Sequence, residues 1–277
     1  MRIKLLRKFT LLILLLLSLN QSFAANREIA LTIDDLPFVG NKKNFHLNMI
    51  LSTLKEYAVP ATGFIVAGDI QSSNWTMLQK FRDAGFGLGN HTVSHANLNK
   101  VNTEAYLEEI ELADQLLLPI LTEPKYFRFP YLATGSGEKK EKVMQYLVDN
   151  NYQIAPITID SRDFLFNRKL VAVPEEAREN YLNELKPQYL DFIWQQTLKA
   201  QERSRRAHNP DQAQILLIHA NLLNAYTLPD IINLYKEHGF TFVSLQEALK
   251  TFTYKPQVAS KNNLHVDKAI ETYKDWD

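Results

Sequence analysis

The chain has 277 residues, 31 Lys+Arg against 31 Asp+Glu and a formal net charge of zero, with 45% hydrophobic residues. That length suits one large domain with a sizeable core. The charge balance gives no basic excess to mark a nucleic-acid binder, and the lack of any cysteine excludes disulfides and a lipidated N-terminal cysteine.

Residues 1–24 read as a secretory leader. Arg2, Lys4, Arg7 and Lys8 open it, Phe9 to Leu19 is leucine-rich, and Ser22-Phe23-Ala24 offers small residues for a cut after Ala24. The apolar run is shorter than the roughly 20 residues a spanning helix needs. No stable membrane span is therefore expected after cleavage, and the product is expected outside the cytoplasm, periplasmic or secreted. The leader holds four of the 31 basic residues and no acidic one, which leaves 27 basic against 31 acidic over residues 25–277.

Glu28 to Ile33 reads as a buried strand running into Asp34-Asp35-Leu36-Pro37. Phe45 to Tyr57 is helical, with Leu47, Ile50, Leu51 and Leu54 on one face. Ala61 to Val66 is a second strand. Asn74 to Ala84 is a helix stopped by Gly85. Phe86 to Asn90 is a short strand leading directly into His91-Thr92-Val93-Ser94-His95. Thr103 to Leu118 is a helix, Lys125 to Phe129 a strand ending in Pro130-Tyr131, and Glu138 to Asn150 a helix. Gln153 to Ile159 reads as one strand ending in Asp160-Ser161-Arg162-Asp163.

Phe164 to Gln214 departs from this rhythm. It is long and mostly helical, with a helix start at Pro174-Glu175-Glu176 and a bend expected near Pro187. It is either a helical excursion packed on the main body or a lid over the cleft. The apolar stripe of Leu182, Leu185, Tyr189, Phe192 and Ile193 favours packing. Ile215 to Ile218 is a strand ending in His219, Leu228 to Glu237 a helix closed by Gly239, Phe240 to Val243 the last strand, and Leu245 to Thr251 a short helix. Residues 253–277 form a polar tail.

Alternating strands and helices predict an α/β fold, a distorted, incomplete (β/α) barrel of parallel strands. Residues 25–252 are expected to form a single domain, with a helical insertion at about 165–214. In such folds reactive residues collect where strands end. Five polar clusters fall at strand ends: Asp34-Asp35, His91/His95, Arg128 to Tyr131, Asp160/Asp163 and His219.

Two imidazoles four residues apart can face one side of a helical turn and share a metal ion. A hydrolytic metal site needs about three protein ligands and an open position. An aspartate can be the third ligand, and of the adjacent Asp34 and Asp35 one can bind metal while the other takes a proton. An Asp-Asp pair after a strand also serves as a helix cap or turn. The remaining histidines, His46, His208, His238 and His265, lie outside these clusters and read as surface residues.

The five motifs, with Arg128-Phe129-Pro130-Tyr131 as the third and Leu217-Ile218-His219 as the last, resemble those of the polysaccharide deacetylase family, carbohydrate esterase family four. The resemblance covers about residues 28–250. It implies Asp34 as catalytic base and Asp35, His91 and His95 as metal ligands. It implies Arg128 holding the base carboxylate in its ionised form, the Tyr131 N–H facing the oxyanion, His219 as general acid and Asp163 orienting it. Leu217 and Phe164 would line the acetyl pocket. One divalent ion is implied, zinc first, with cobalt, nickel or manganese as alternatives. The implied reaction removes N-acetyl groups from a glycan such as peptidoglycan or a chitin-type oligosaccharide. An O-acetyl esterase on a xylan-like polymer and an inactive glycan-binding protein are the other readings. The sequence departs from the family pattern at Ile33, at Leu36-Pro37, at Phe164 where Trp is usual, and at Ala220-Asn221.

Overall fold

The computed structural model describes residues 27–252. The leader-like segment, the polar tail and His265 lie outside the described residues.

The core strand β1 (Glu28–Leu36) is flanked by β2 (Ala61–Ile65) and β7 (Gln214–His219). Outward from β2 follow β3 (Gly87–Asn90), β4 (Tyr126–Phe127) and β5 (Gln153–Ile154). Outward from β7 lies β6 (Ile159–Asp160), and the two-residue β8 (Thr241–Phe242) runs beside the start of β1. Every ladder is parallel. The strand order is β5-β4-β3-β2-β1-β7-β6, and among the described residues no ladder joins β5 to β6. This is the distorted, incomplete barrel expected from the strand–helix alternation. Parallel strands covered by helices need apolar residues on both faces. In β1 every residue from Ile29 to Asp34 is buried.

Helices α1 (Lys43–Glu56), α2 (Ser72–Asp83), α3 (Thr103–Leu117), α4 (Gly137–Asp149), α5 (Asp163–Ala172), α6 (Arg178–Arg206), α7 (Leu222–Glu237) and α8 (Leu245–Lys250) connect and cover the strands. Their limits follow capping chemistry. Asn102 and Asn221 accept hydrogen bonds from the N–H groups of Ala105 and Asn224 at the starts of α3 and α7. Gly85 follows α2 at φ 86°, a left-handed conformation that costs glycine nothing.

Three expectations need correction. The segment read as one strand over 153–159 is two, on opposite edges of the sheet. Pro156 cannot donate to a ladder, so the chain leaves β5 there and crosses the open side of the barrel. That crossing is pinned on both sides: the Arg128 Nε donates to Ala155 O (2.8 Å), and Arg203 of α6 donates to Thr158 O (2.7 Å). Helix α7 starts at Leu222, six residues before the expected start, because Asn221 caps it and Pro229 is accommodated within it. Nor are all the remaining histidines on the surface. His46 is 6% exposed, stacked on Phe38 at 5.2 Å, and His238 is half-buried against Trp194.

Helix α6 continues through Pro187 without interruption. Its Leu185, Tyr189, Ile193 and Ala200 are buried in the main core, packed with residues of β7 and α7. The stripe thus faces the barrel. The Tyr189 hydroxyl donates to Asn224 Oδ1 (2.8 Å), which ties α6 to the start of α7.

Candidate active site

Because all strands are parallel, their C-terminal ends share one face, and the polar clusters meet there. Asp34 and Asp35 sit near the end of β1, His91 follows β3, Arg128 follows β4, Asp163 opens α5 and His219 ends β7. Adjacent residues on a regular strand point to opposite faces. Here the β1–β2 register shifts between Ile33 and Leu36, and Asp35 takes φ 62°. This irregularity lets both carboxylates face the cleft. His91 Nε2 lies 3.7 Å from Asp34 Oδ2 and 3.7 Å from Asp35 Oδ1.

The histidine pair is not carried on a helical turn, as its spacing suggested. Residues 91–95 form an irregular turn, with Thr92 at φ 65° and His95 at φ 57°. Side-chain acceptors have captured the backbone donors a helix would use. Asn90 Oδ1 accepts from Thr92 N–H (2.8 Å), and Thr92 Oγ1 accepts from Ala96 N–H (3.1 Å). Glu109 of α3 accepts from the N–H groups of Val93 (3.0 Å) and Ser94 (2.7 Å) and from the Ser94 hydroxyl (2.8 Å). On the opposite side Gly68 N–H donates to Val93 O (2.8 Å), and a Cβ on Gly68 would stand 2.7 Å from that oxygen.

Sequence reasoning missed Glu109. An acid on a charged helix face reads as solvated, and only the neighbouring loop reveals its role. Glu109→Gln keeps the shape but turns one acceptor oxygen into a donor. We expect it to weaken divalent-metal affinity by about 10–100-fold, the usual scale for groups that orient ligands. Competition against a chromophoric chelator reads this directly. Unchanged affinity with a lower Tm would make Glu109 a brace for the fold alone.

Asp35, His91 and His95 each offer a ligand atom, all within 4.8 Å of one another. The His95 Nε2 to Asp35 Oδ1 distance is 3.4 Å. Ligands about 2.1 Å from a tetrahedral zinc stand about 3.4 Å apart, so the set is close to the required size. Two further observations fit a cation. Asp35 Oδ1 is buried without a hydrogen-bond partner, an unfavourable state unless something positive meets it. Burial pushes the His91 imidazole down to about 3, so the ring is neutral. Its Nδ1–H donates to Arg128 O (2.8 Å), which leaves the Nε2 lone pair toward the carboxylates.

Asp34 is 2% exposed and faces Arg128, whose Nη1 lies 3.3 Å from Oδ1 and 3.4 Å from Oδ2. The sequence suggested that this arginine would favour the ionised carboxylate. In the structure burial outweighs it, and the Asp34 pKa is raised above the ordinary carboxylate value. Arg128 itself is 1% exposed. It also donates to Thr32 Oγ1 (3.2 Å) and lies 4.7 Å from the Phe64 ring. Arg128→Met would strand the Asp34 charge and the Ala155 carbonyl. Breaking a buried pair this way costs about 3–5 kcal/mol, which urea unfolding will measure as a lower midpoint.

His219 stands opposite Asp34 in the β1–β7 ladder. Its Nδ1 meets Asp163 Oδ1 at 2.6 Å. Asp163 Oδ2 also accepts from His219 N–H (2.7 Å), Asn221 Nδ2 (2.8 Å) and Asn224 Nδ2. Burial alone would lower the His219 pKa, but the Asp163 carboxylate overrides it and lifts it to about 10. Asp163 is held below its ordinary value, against the pull of burial, by the imidazolium and these donors. A histidine whose pKa rises on folding stabilises fully below its unfolded value near 6.5. That contribution fades as pH climbs toward 10.

The remaining expected residues gather nearby. Tyr131 holds φ 56°, and its ring packs on His95 at 4.5 Å. Phe164 is 51% exposed and meets the His219 ring edge-on at 6.1 Å. Leu217 is buried two residues before His219, on the same face of β7.

Residues 24–155 match the family model for polysaccharide deacetylase. Over those residues the chain is similar to the polysaccharide deacetylase family. Among its relatives, a peptidoglycan-N-acetylglucosamine deacetylase from Bacillus cereus is 31% identical over 138 residues, 50% of this chain and 46% of that protein. A chitin deacetylase from Colletotrichum lindemuthianum is 27% identical over 165 residues, 57% of this chain and 60% of that one. The chain thus spans about half the length of these relatives. The solved structure of the peptidoglycan deacetylase PdaC from Bacillus subtilis superposes with a TM-score of 0.57 at 21% identity, over 82% of this chain and 91% of that one. At that identity the likeness concerns the polysaccharide deacetylase fold alone.

Proposed function

We propose that this chain is a metal-dependent hydrolase that removes N-acetyl groups from a glycan and releases acetate. One observation carries the reading: a metal-sized Asp35–His91–His95 set lies beside a buried Asp34–Arg128 pair, with His219 at the end of the next strand paired to Asp163 at the start of α5. The family relatives named as deacetylases of peptidoglycan and chitin support the substrate class.

Asp35, His91 and His95 would hold the ion, with zinc the first candidate. Such an ion, when bound, supplies Lewis-acid polarisation of the amide carbonyl and lowers the pKa of water toward 7. Asp34, fixed by Arg128, accepts the proton from the attacking water. Its raised pKa suits a group that must gain and then lose a proton. The Tyr131 N–H faces the oxygen on which charge develops, where one such donor is worth about 10²–10³ in rate. His219, protonated at neutral pH and oriented by Asp163, gives its proton to the departing nitrogen. Leu217 and Phe164 bound the space for the acetyl methyl. The leader-like residues 1–24 place this activity outside the cytoplasm in our reading. Among the described residues no helix is long and apolar enough to cross a membrane.

Acetate release from N-acetylglucosamine oligomers and from O-acetylated xylan, with and without a chelator, tests the proposal. Chelator-sensitive release from the N-acetyl substrates is expected. Release confined to the xylan would make the chain an esterase instead.

A further inference from the structure

The segment that breaks the strand–helix rhythm delivers a buried hydroxyl to the His219–Asp163 pair. Tyr189 of α6 is 0% exposed. Its ring packs on Phe166 of α5, with centroids 5.1 Å apart, and its hydroxyl donates to Asn224 Oδ1 of α7 (2.8 Å). Helix α6 thus touches both helices that begin beside His219.

From that hydroxyl the hydrogen bonds form a closed circuit. Asn224 Nδ2 donates to Asp163 Oδ2 and to His219 O (2.9 Å). The Asp163 N–H donates to Ser161 Oγ (3.4 Å), and the Ser161 side chain bonds the Tyr189 hydroxyl. Ser161 Oγ accepts on one side, so its own proton is available to Tyr189, and the Tyr189 proton to Asn224. The circuit begins and ends on Asp163, which meets His219 Nδ1 at 2.6 Å. Burial and the nearby Asp163 charge push the Tyr189 hydroxyl well above its ordinary pKa, so it remains a donor.

Ser161, Asp163, Tyr189 and Asn224 are all fully buried. Solvent does not reach them to replace a lost partner, and in such a place each bond strengthens the next. An asparagine amide has one acceptor end and one donor end. The Tyr189 proton on Oδ1 settles which end is which and aims Nδ2 at the carboxylate. Without that proton Oδ1 becomes a buried acceptor lacking a donor, a state relieved by turning the amide. Asp163 then loses a donor that helps to fix its direction toward His219.

We propose that Tyr189, Ser161 and Asn224 are positioning residues for the general acid, and that α6 is the buttress through which His219 keeps its aim at an amide nitrogen. The inference rests on the deacetylase reading of the site and deepens it. The helical segment favours amide over ester cleavage, because an ester leaving group needs less protonation.

Three variants of the zinc-loaded full chain test this. Tyr189→Phe deletes one hydroxyl and keeps the ring, Ser161→Ala breaks the circuit at its other link, and Tyr235→Phe is the control. The Tyr235 hydroxyl is equally buried and also joins α7 to α6, through Thr197 Oγ1 (2.8 Å), but it lies outside the circuit. Tyr189→Phe is expected to lower kcat on an N-acetylglucosamine oligomer by about 10–100-fold, the scale for groups that orient a reacting residue. KM should hold, and the loss on a matched O-acetyl sugar should be much smaller. The proton resonance of His219 Nδ1–H should move upfield as its bond to Asp163 loosens. Ser161→Ala should act in the same direction, and it decides alone if Tyr189→Phe does not fold. Tyr235→Phe should lower Tm yet leave both kcat and the resonance in place. An equal loss on amide and ester, an unmoved resonance, or the same loss of kcat in Tyr235→Phe overturns the proposal and reduces α6 to packing. The resonance needs no turnover. A parent that releases no acetate therefore marks failure of the deacetylase reading, separately from failure of the circuit.

Discussion

An Asp35→Asn chain is expected to bind zinc more than about 100-fold more weakly than the parent and to release no detectable acetate. The floor of that estimate comes from the 10–100-fold cost of losing a group that merely orients a ligand; losing the ligand itself costs more. The substitution is close to isosteric. Asp35 Oδ1 has no protein hydrogen-bond partner to lose, and the side chain is 20% exposed. The fold should therefore survive, and Tm without metal should stay near that of the parent. In the parent, adding zinc should raise Tm by mass action; in the variant that shift should vanish. A variant that binds zinc as well as the parent would remove Asp35 from the metal set.

The second large effect concerns the leaving group. An amine departs only when protonated, whereas an alkoxide from an ester needs less help. His219→Ala is expected to lower kcat on an N-acetyl substrate by about 10²–10⁴, the range for a positioned general acid. On a matched O-acetyl sugar the loss should be much smaller. Metal affinity should change little, because His219 is outside the ligand set. An equal loss on both substrates would strip His219 of its role as acid. Asp163→Asn should cost activity and stability together, since that carboxylate collects five donors, from α5, β7 and the start of α7.

Much of this was legible in the residues. β1 could be read from its continuous apolar run, and the strand-end rule then placed Asp34, His91, Arg128, Asp163 and His219 on one face. What the sequence hid was set by contacts distant in the chain. Residues 153–159 look like a single strand because both halves are apolar. Only pairing with β4 on one side and β7 on the other divides them. The His91–His95 spacing matches a helical turn, yet Asn90, Thr92 and Glu109 hold it in another shape, and the Glu109 bonds span 15 and 16 residues. His46 looked like a surface residue because its partners Phe38 and Tyr226 lie on either side of a long stretch of chain. The balance at Asp34 was also beyond reach: the sequence names Arg128 as a neighbour, but the extent of burial that outweighs it is a property of the closed barrel.

The most direct test strips the chain with a chelator, then restores zinc stepwise while metal content and acetate release from an N-acetylglucosamine oligomer are followed together. One ion per chain is expected to bind, with acetate release rising in step with occupancy. Undiminished acetate release from the metal-free chain would contradict the account.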